Sequence, residues 1–249
     1  MFDKHRAISI ALGIIFFACL PLSGQQTYVT RFDFYGGYGF LDSPKVNLFE
    51  NGGAFQAGVR PTTWLSLGFD FTAAEGNLTI KPTQLLPALQ TQLNTAIAQY
   101  IQAGIFPPPT AYNYAGLYVP AHSTTQTYAF GPELVFRHFS RVTLFARPVY
   151  AGIIHETATP QPQDAVVKTL VFGIPGVAPG LLSGPNKIDH VWFIGFGGGF
   201  DILFGKHFAW RTQADLVHDH LFSDLLAEGR FTVRFSCGPA FNFGPNIKK

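Results

Sequence analysis

The sequence predicts an all-β protein: an eight-stranded antiparallel up-and-down transmembrane barrel with a long, partly helical extracellular loop. Three observations predict this fold. Apolar and polar residues alternate with period two in eight segments, and the connections between these segments alternate between short and long. The composition is 47% hydrophobic and only 13% charged, against roughly 25% charged residues in an average soluble domain. A closed barrel satisfies its backbone in lipid without any long apolar run.

Residues 1–24 have the pattern of a secretory signal peptide. A basic start and an apolar stretch from Ala7 to Leu20 are followed by small residues near a cleavage point. A lipoprotein signal at Cys19 is a less favoured alternative because bulky phenylalanines precede it. Residues 25–249 are expected to form a single outer-membrane barrel domain, in which Cys237 is the only cysteine. No disulfide framework is therefore expected.

The alternating segments define the predicted strands. They lie around 28–40, 53–60, 65–73, 125–137, 142–154, 191–203, 208–217 and 230–243. In the third segment, Leu67 and Phe69 share one face and Asp70 lies on the other, because successive strand side chains point to opposite sides. Three prolines fall inside these segments: Pro132, Pro148 and Pro239. Each is expected at a bulge or near a strand end, because a closed barrel has no free edge.

The connections set the topology. Short ones are predicted at 61–64, 138–141 and 204–207, and long ones at about 42–52, 74–124, 155–190 and 218–229. Short periplasmic turns that alternate with long outer loops are typical of outer-membrane barrels, whereas a soluble sandwich has no reason to keep every second connection short. With both chain ends periplasmic, the long loops face the exterior.

The loop at 74–124 is distinctive because the chain carries no Asp, Glu, Lys or Arg from Pro82 to Pro132. Leucine and isoleucine recur at helical spacing opposite glutamine and threonine, which predicts an amphipathic helix over 83–103. Gly104 and the Pro107–Pro109 run end it. We interpret this helix as a lid over the barrel mouth; contact with lipopolysaccharide or with another protein is the alternative.

Charged residues collect on the face opposite the apolar one. The predicted interior charge network consists of Arg31, Asp33, Arg60, Asp70, Glu133, Arg137, Arg147, Asp201, Arg211, Asp215 and Arg234. An eight-stranded barrel is just wide enough for its side chains to fill it, and an unpaired charge there would cost several kcal/mol. These six cations and five anions are therefore expected to pair and to leave no wide pore, although some of them are expected at the wet rims.

Aromatic residues are expected at the two membrane interfaces, where such rings prefer the headgroup level. The predicted belt consists of Tyr38, Phe40, Tyr128 and Trp192 near the outer rim and Phe136, Phe208 and Trp210 near the periplasmic rim. The glycines of the GFGGGF segment, residues 195–200, are expected to relieve crowding in a tight barrel rather than to bind phosphate, because no helix follows them.

The last predicted strand carries a spaced pattern of Ser236, Gly238, Phe241 and Phe243. This stretch resembles the signal by which outer-membrane proteins are recognised for insertion. The chain from 28 to 243 is similar to the eight-stranded outer-membrane barrel family of the OmpA/OmpX type, notably in FDFYGGYGF, FGPELVFR and FGGGFDI. The resemblance implies the outer membrane of a Gram-negative cell envelope, and the barrel-assembly machinery as a partner during insertion. Two departures are the six residues after the terminal phenylalanine and the lack of a peptidoglycan-binding domain.

The expected function is that of a non-enzymatic outer-membrane protein, structural or surface-interacting through its loops. Its expected partners are outer-membrane lipid, lipopolysaccharide and an external protein or glycan ligand, with no cofactor. A net charge of +2 without basic clusters gives no indication of nucleic-acid binding. A narrow porin is a third possibility, disfavoured by the strand count.

Two chemical alternatives stay open. A barrel-type lipid A or phospholipid hydrolase or acyltransferase would need Ser, His and an acid in contact, and His122–Ser123, His155–Glu156, His218 and His220 supply such groups. The last two histidines, together with Asp219 and Asp224, are also a weak candidate for a metal site, since alternate strand residues point the same way. A polar loop mouth is the preferred interpretation of these groups.

Overall fold

A computed structural model describes residues 26–182 and 184–247 and places eight strands in one closed antiparallel barrel. The strands are β1 (Thr30–Ser43), β2 (Leu48–Val59), β3 (Leu65–Ile80), β4 (Val119–Phe136), β5 (Val142–Pro160), β6 (Lys187–Leu203), β7 (Phe208–Asp219) and β8 (Arg230–Asn246). Each strand pairs with the next along the chain, and β8 pairs with β1 to close the wall. The predicted fold is confirmed, whereas the predicted signal peptide, residues 1–24, lies outside the described residues.

The two ends of the barrel differ in their connections. At one, the turn end, the tight connections 60–64, 137–141 and 204–207 lie where turns were predicted. At the other, the cap end, residues 81–118, 220–229 and the segment between β5 and β6 form long connections. The first connection at the cap end is only Pro44–Asn47, so the prediction of a long loop over 42–52 is wrong.

Strands extend farther toward the cap end than the alternation indicated. For example, β3 continues to Ile80 and β4 begins at Val119, where 73 and 125 were predicted. The outward residues of this extension, such as Glu75 and Asn77, are exposed and polar. The apolar–polar contrast that marks a half-buried strand is therefore lost there, although the pairing continues.

The long connections fold into a compact cap. Helix α1 (Pro87–Gln102) lies within the predicted 83–103 range and is followed by Gly104, whose φ is +71°. Helix α2 (Ala165–Phe172) was not predicted. Smaller elements are the 3-10 turns Pro44–Val46, Pro82–Gln84 and Tyr114–Gly116 and the two-residue strands Gly173–Ile174 and Ala178–Pro179. Leu93 of α1 and Val167 and Leu170 of α2 belong to one buried apolar cluster. No helix among the described residues has the length and hydrophobicity to cross a membrane.

Two of the three strand prolines lie at an irregularity. The β4–β5 register shifts between Phe130 and Leu134, around Pro132, and the β5–β6 register shifts between Arg147 and Tyr150, around Pro148. Pro239 pairs with Trp210 in a regular part of the β7–β8 ladder. The expectation of a bulge or strand end is wrong for that residue.

Candidate functional site

The outer wall of the barrel is apolar and aromatic. Six of the predicted belt residues are exposed: Tyr38, Tyr128, Phe136, Trp192, Phe208 and Trp210. The seventh, Phe40, is half-buried between Phe49 and Phe235. Trp192, with 75% of its surface exposed, is followed toward the cap end by the outward residue His190, and Tyr128 by Gln126. The apolar band therefore ends at these two rings, as it does at the headgroup level of a membrane-spanning barrel.

The lumen holds ion pairs, in two layers. The layer nearer the turn end is centred on Arg211, which is 2% exposed. Its Nε donates to Asp201 Oδ1 at 2.8 Å, and its Nη2 lies 3.1 Å from Asp33 Oδ2. Arg60 Nη2 contacts the other oxygen of Asp33 at 3.2 Å. Gln56 accepts from Arg211 Nη1 at 2.6 Å. Each of the three guanidinium nitrogens of Arg211 therefore contacts a side-chain oxygen.

Arg147 forms the second centre of the same layer. It is fully buried and contacts Asp70 directly, Asp215 Oδ2 at 3.1 Å and Glu133 Oε1 at 3.7 Å. Gly197 makes room for this arrangement, because a Cβ at that position would collide with Asp215 Oδ1. The close packing explains one glycine of the GFGGGF segment.

The remaining predicted interior arginines lie at different places. Arg234 is buried and donates to Tyr150 and to Thr72. Arg137 is half-buried at the turn end, where its Nη1 donates to Gln26 Oε1 at 3.1 Å. Arg31 is exposed on the outer side of the wall, so its prediction as an interior charge is wrong. The β1–β8 register shifts between Thr30 and Phe32, and the bulge turns Arg31 outward.

A second layer of charge nearer the cap end was not predicted. Arg230 Nε donates to Asp219 Oδ1 at 2.9 Å, and its Nη2 donates to Glu156. Ser123 Oγ donates to Glu156 Oε1 at 3.3 Å. Glu50 is also buried, and neither of its carboxyl oxygens has a hydrogen-bond partner among the described residues. Strand limits drawn too short assigned most of these residues to loops. Continuing the inward positions of β5 and β7 by two residues would have found Glu156 and Asp219.

The interior carries more acid than the sequence indicated. The buried arginines among the described residues are Arg60, Arg147, Arg211, Arg230 and Arg234. The buried carboxyl groups are Asp33, Glu50, Asp70, Glu133, Glu156, Asp201, Asp215 and Asp219. Five cations thus face eight acids, where six cations and five anions were predicted. Ion pairs such as Arg147–Asp70, Arg147–Asp215 and Arg230–Glu156 join strands that do not pair with one another and occupy the lumen.

The structure does not assemble the residues of the enzyme alternative. Ser123 and Glu156 point into the lumen and are fully buried, whereas their chain neighbours His122 and His155 lie on the outer side of the wall. His155 instead stacks near His190 on β6, with ring centroids 6.5 Å apart. Because successive strand side chains alternate between the two faces, a Ser–His–acid array cannot form here.

The candidate metal ligands are also separated. The rings of His218 and His220 lie close together, with centroids 4.9 Å apart. Asp219, however, faces the lumen and pairs with Arg230, and Asp224 pairs with Lys187. The described part of the chain contains no group of three or more histidine, cysteine or acidic residues arranged to hold a metal ion.

The predicted insertion signal lies on the strand that closes the barrel. Phe241 and Phe243 face outward, Ser236 is buried on the inward face, and the strand continues beyond Phe243 to Asn246. Gly238 lies directly against Gly37 of β1, since a Cβ on Gly238 would be 2.5 Å from the Gly37 Cα. The closure seam therefore requires glycine at this position.

An apolar cavity lies between the cap and the top of the barrel. It is open to solvent on one side, and its volume of about 830 Å³ includes that open part. Leu93, Val167, Leu170 and Val171 form its cap side, and the strand residues Ala121 and Ala158, with Phe222 of the 220–229 connection, form the opposite side. Lys81 and Lys187 lie at its edge. The sequence indicated the helix of the lid but not this cavity, because α2 was missed.

Comparisons with known proteins find likeness only at the level of structure. No protein-family model matches the chain, and no curated protein is significantly similar to it. Among solved structures, the outer membrane protein OprG from Pseudomonas aeruginosa has 8% identity and a TM-score of 0.52, with 89% of this chain and 99% of that chain covered. The likeness is one of fold.

Two further solved barrels have lower TM-scores. Neisserial surface protein A has 10% identity and a TM-score of 0.46, covering 89% of this chain and all of that one. Ail, the attachment invasion locus protein of Yersinia pestis, has 10% identity and a TM-score of 0.44, covering 86% and 99%. Ail has also been solved in complex with the heparin analogue sucrose octasulfate.

Proposed function

We propose that this chain is a non-enzymatic integral protein of a bacterial outer membrane that acts by binding an external ligand through its cap. The barrel serves as the anchor, inserted by the barrel-assembly machinery and surrounded by lipid and lipopolysaccharide. The observation that carries this proposal is the division of the molecule into a lumen filled by ion pairs and a folded cap. A filled lumen leaves the cap as the surface available for function.

The filled lumen argues against a pore. Arg147 spans from Asp70 on β3 to Asp215 on β7, and Arg211 spans from Asp33 on β1 to Asp201 on β6. Three of these contacts, Arg147–Asp70, Arg147–Asp215 and Arg211–Asp33, join non-neighbouring strands of a barrel that is only wide enough for its own side chains. Opening a channel would separate charges that are buried together, which is costly.

The composition of the β3–β4 connection within the cap favours a neutral ligand. Residues 82–118 carry no charged side chain. A cleft on this surface is lined mainly by uncharged residues such as Gln90, Asn94, Tyr114 and Tyr118, together with Lys81, and Tyr118 is 39% exposed. Amide side chains and exposed aromatic rings recognise hydroxyl groups and the apolar faces of sugars. We therefore favour a neutral glycan, with a protein surface as the competing ligand.

Trimming the cap tests this proposal. Ile80 pairs with Val119, so residues 82–117 can be replaced by a short Gly-Ser turn that extends the β3–β4 hairpin. The trimmed protein should fold, as shown by heat-modifiable migration on gels, and should lose glycan-array binding that the intact protein shows. Tyr118→Ala should weaken this binding, whereas Phe204→Ala at the turn end should not. Equal binding by trimmed and intact proteins, or binding only to protein partners, would reject the glycan assignment.

A further inference from the structure

The cavity beneath the cap has the lining of a binding site for an apolar group. Nearly all of its wall consists of aliphatic and aromatic side chains from both helices and from the barrel end. Leu85, Leu93 and Leu170 are buried. The space is open to solvent on one side, which gives a ligand a path into it. Protein cores are close-packed, so a cap that binds no ligand would be expected to close such a space.

The charge at the edge of the cavity is positive. Lys187 is paired with Asp224. Lys81 is exposed, and within residues 26–182 and 184–247 it has no acidic partner. No other charge follows it in the chain until Glu133. An uncompensated ammonium group beside an apolar chamber complements a ligand with one negative end and an apolar body.

We propose that this cavity binds a single-chain anionic amphiphile of the fatty-acid class. Its hydrocarbon chain occupies the space between α1, α2 and the barrel end, and its carboxylate meets Lys81 at the edge. The hydrocarbon chain supplies most of the affinity through removal of apolar surface from water. The lysine supplies the preference for an acid over an alcohol of the same length. This inference rests on the proposed role of the cap as the ligand-binding surface and adds a second ligand beneath it.

A photoactivatable fatty acid tests the site while separating it from the surrounding lipid. The full-length folded protein is placed in nanodiscs of zwitterionic phosphatidylcholine, illuminated with the diazirine-bearing probe and digested for mass spectrometry. Bound probe should label cap peptides that contain Leu93 or Val167. Probe dissolved in the bilayer would label only wall peptides, such as the one that contains Trp192. Labelling confined to the wall would overturn the proposal.

Matched variants define the two parts of the site. Val171→Trp and Leu182→Trp fill the cavity from two sides and should abolish cap labelling while wall labelling persists. Lys81→Ala should weaken cap labelling about fivefold, the factor expected for one partly exposed ion pair of about 1 kcal/mol. Lys168→Ala, on α2 but outside the lining, should leave it unchanged. Folding of each tryptophan variant is checked by heat-modifiable migration, and undiminished cap labelling in either folded variant would overturn the proposal.

Competitors identify the ligand class. Unlabelled fatty acid should displace the probe more effectively than the fatty alcohol of equal length. Displacement by lipopolysaccharide but not by free fatty acid would overturn the assignment to a single-chain acid. A protein that still binds its external glycan but shows no cap labelling would reject this inference alone. Loss of both would reject the proposed function as well.

Discussion

Arg147 on β5 donates to Asp215 on β7 across 3.1 Å, although β6 lies between the two strands in the wall. The same guanidinium contacts Asp70 on β3, with β4 in between. Backbone pairing joins each strand only to its neighbours, so this arginine adds connections that the ladder cannot make. It holds the middle of the barrel together from inside.

Replacing Arg147 should therefore destabilise the barrel strongly. Arg147→Leu leaves buried carboxylates without their cation, which typically costs about 3–5 kcal/mol. The free energy of unfolding can be measured by urea titration in lipid vesicles with tryptophan fluorescence. Arg31→Leu is the matched control, because Arg31 is exposed outside the network and its loss should change stability by about 0.5 kcal/mol or less. Similar losses for the two variants would contradict the role of the network.

A charge placed on the outer wall should be costly in proportion to its depth. Phe130 and Gln126 lie on the same outward row of β4, in the apolar band and beyond its edge at Tyr128, respectively. Phe130→Arg should lower the free energy of unfolding by about 2–4 kcal/mol and Gln126→Arg by about 1 kcal/mol or less. The comparison uses the same vesicle assay. Equal costs would show that the band does not face hydrocarbon.

Closure of the barrel should depend on Gly238. A side chain there would meet Gly37 Cα and Gly36 O at about 2.5–2.6 Å, so Gly238→Val should obstruct the β1–β8 seam. The folded fraction, measured as heat-modifiable protein after refolding into vesicles, should fall severalfold. Ala240→Val, two residues farther on the same strand and also inward-facing, is the control for added volume without the backbone clash. Normal folding of Gly238→Val would disprove the seam contact.

Alkaline pH should loosen the cap through Tyr112. Burial and a 2.7 Å hydrogen bond from its phenol to Asp164 raise the pKa of Tyr112 to about 12, from an ordinary value of 10.0. The folded cap thus favours the protonated phenol. Its contribution to stability is complete below pH 10 and is lost as pH rises through about 12.

The contribution of Tyr112 to stability is measured as the difference in the free energy of unfolding between the wild type and a variant. The excess stability of the wild type over Tyr112→Phe should be constant below pH 10 and should disappear toward pH 12, measured by urea unfolding. Tyr118→Phe removes a comparable loop hydrogen bond, from Tyr118 to the uncharged Gln163 at 2.6 Å, and serves as the control. A phenolate absorbance titration should show one fewer late-ionising tyrosine in Tyr112→Phe than in the wild type. Titration of that tyrosine near pH 10 would contradict the account.

The sequence predicts the wall of the barrel well because lipid imposes a sharp rule. Within the apolar band every second side chain faces lipid and must be apolar. The period-two pattern therefore identified all eight strands and most of the inward charges. The pattern fails where that constraint ends. Beyond the band both faces are polar, and Glu156 and Asp219 were therefore left outside the predicted strands although they pair with Arg230 inside the lumen.

Local irregularities and nonperiodic segments account for the other errors. A single bulge at Arg31 turns its side chain from the lumen to the outer face. A period-two pattern cannot show where one extra residue is inserted in a strand. Helix α2 was missed because its run of valines resembles a strand. Its signal was present nonetheless: Asp164 caps the helix by accepting from Val167 N at 2.8 Å, and Gly173 follows its last residue.

Conductance across a planar bilayer tests the central claim that the lumen is filled, on which the assignment of function to the cap depends. The folded wild-type protein, verified by heat-modifiable migration, should insert without producing stable current steps over a range of voltages and salt concentrations. The same result is expected after trimming residues 82–117, because the ion pairs of Arg147 and Arg211 lie below the cap. A large, stable single-channel conductance in either protein would contradict the account.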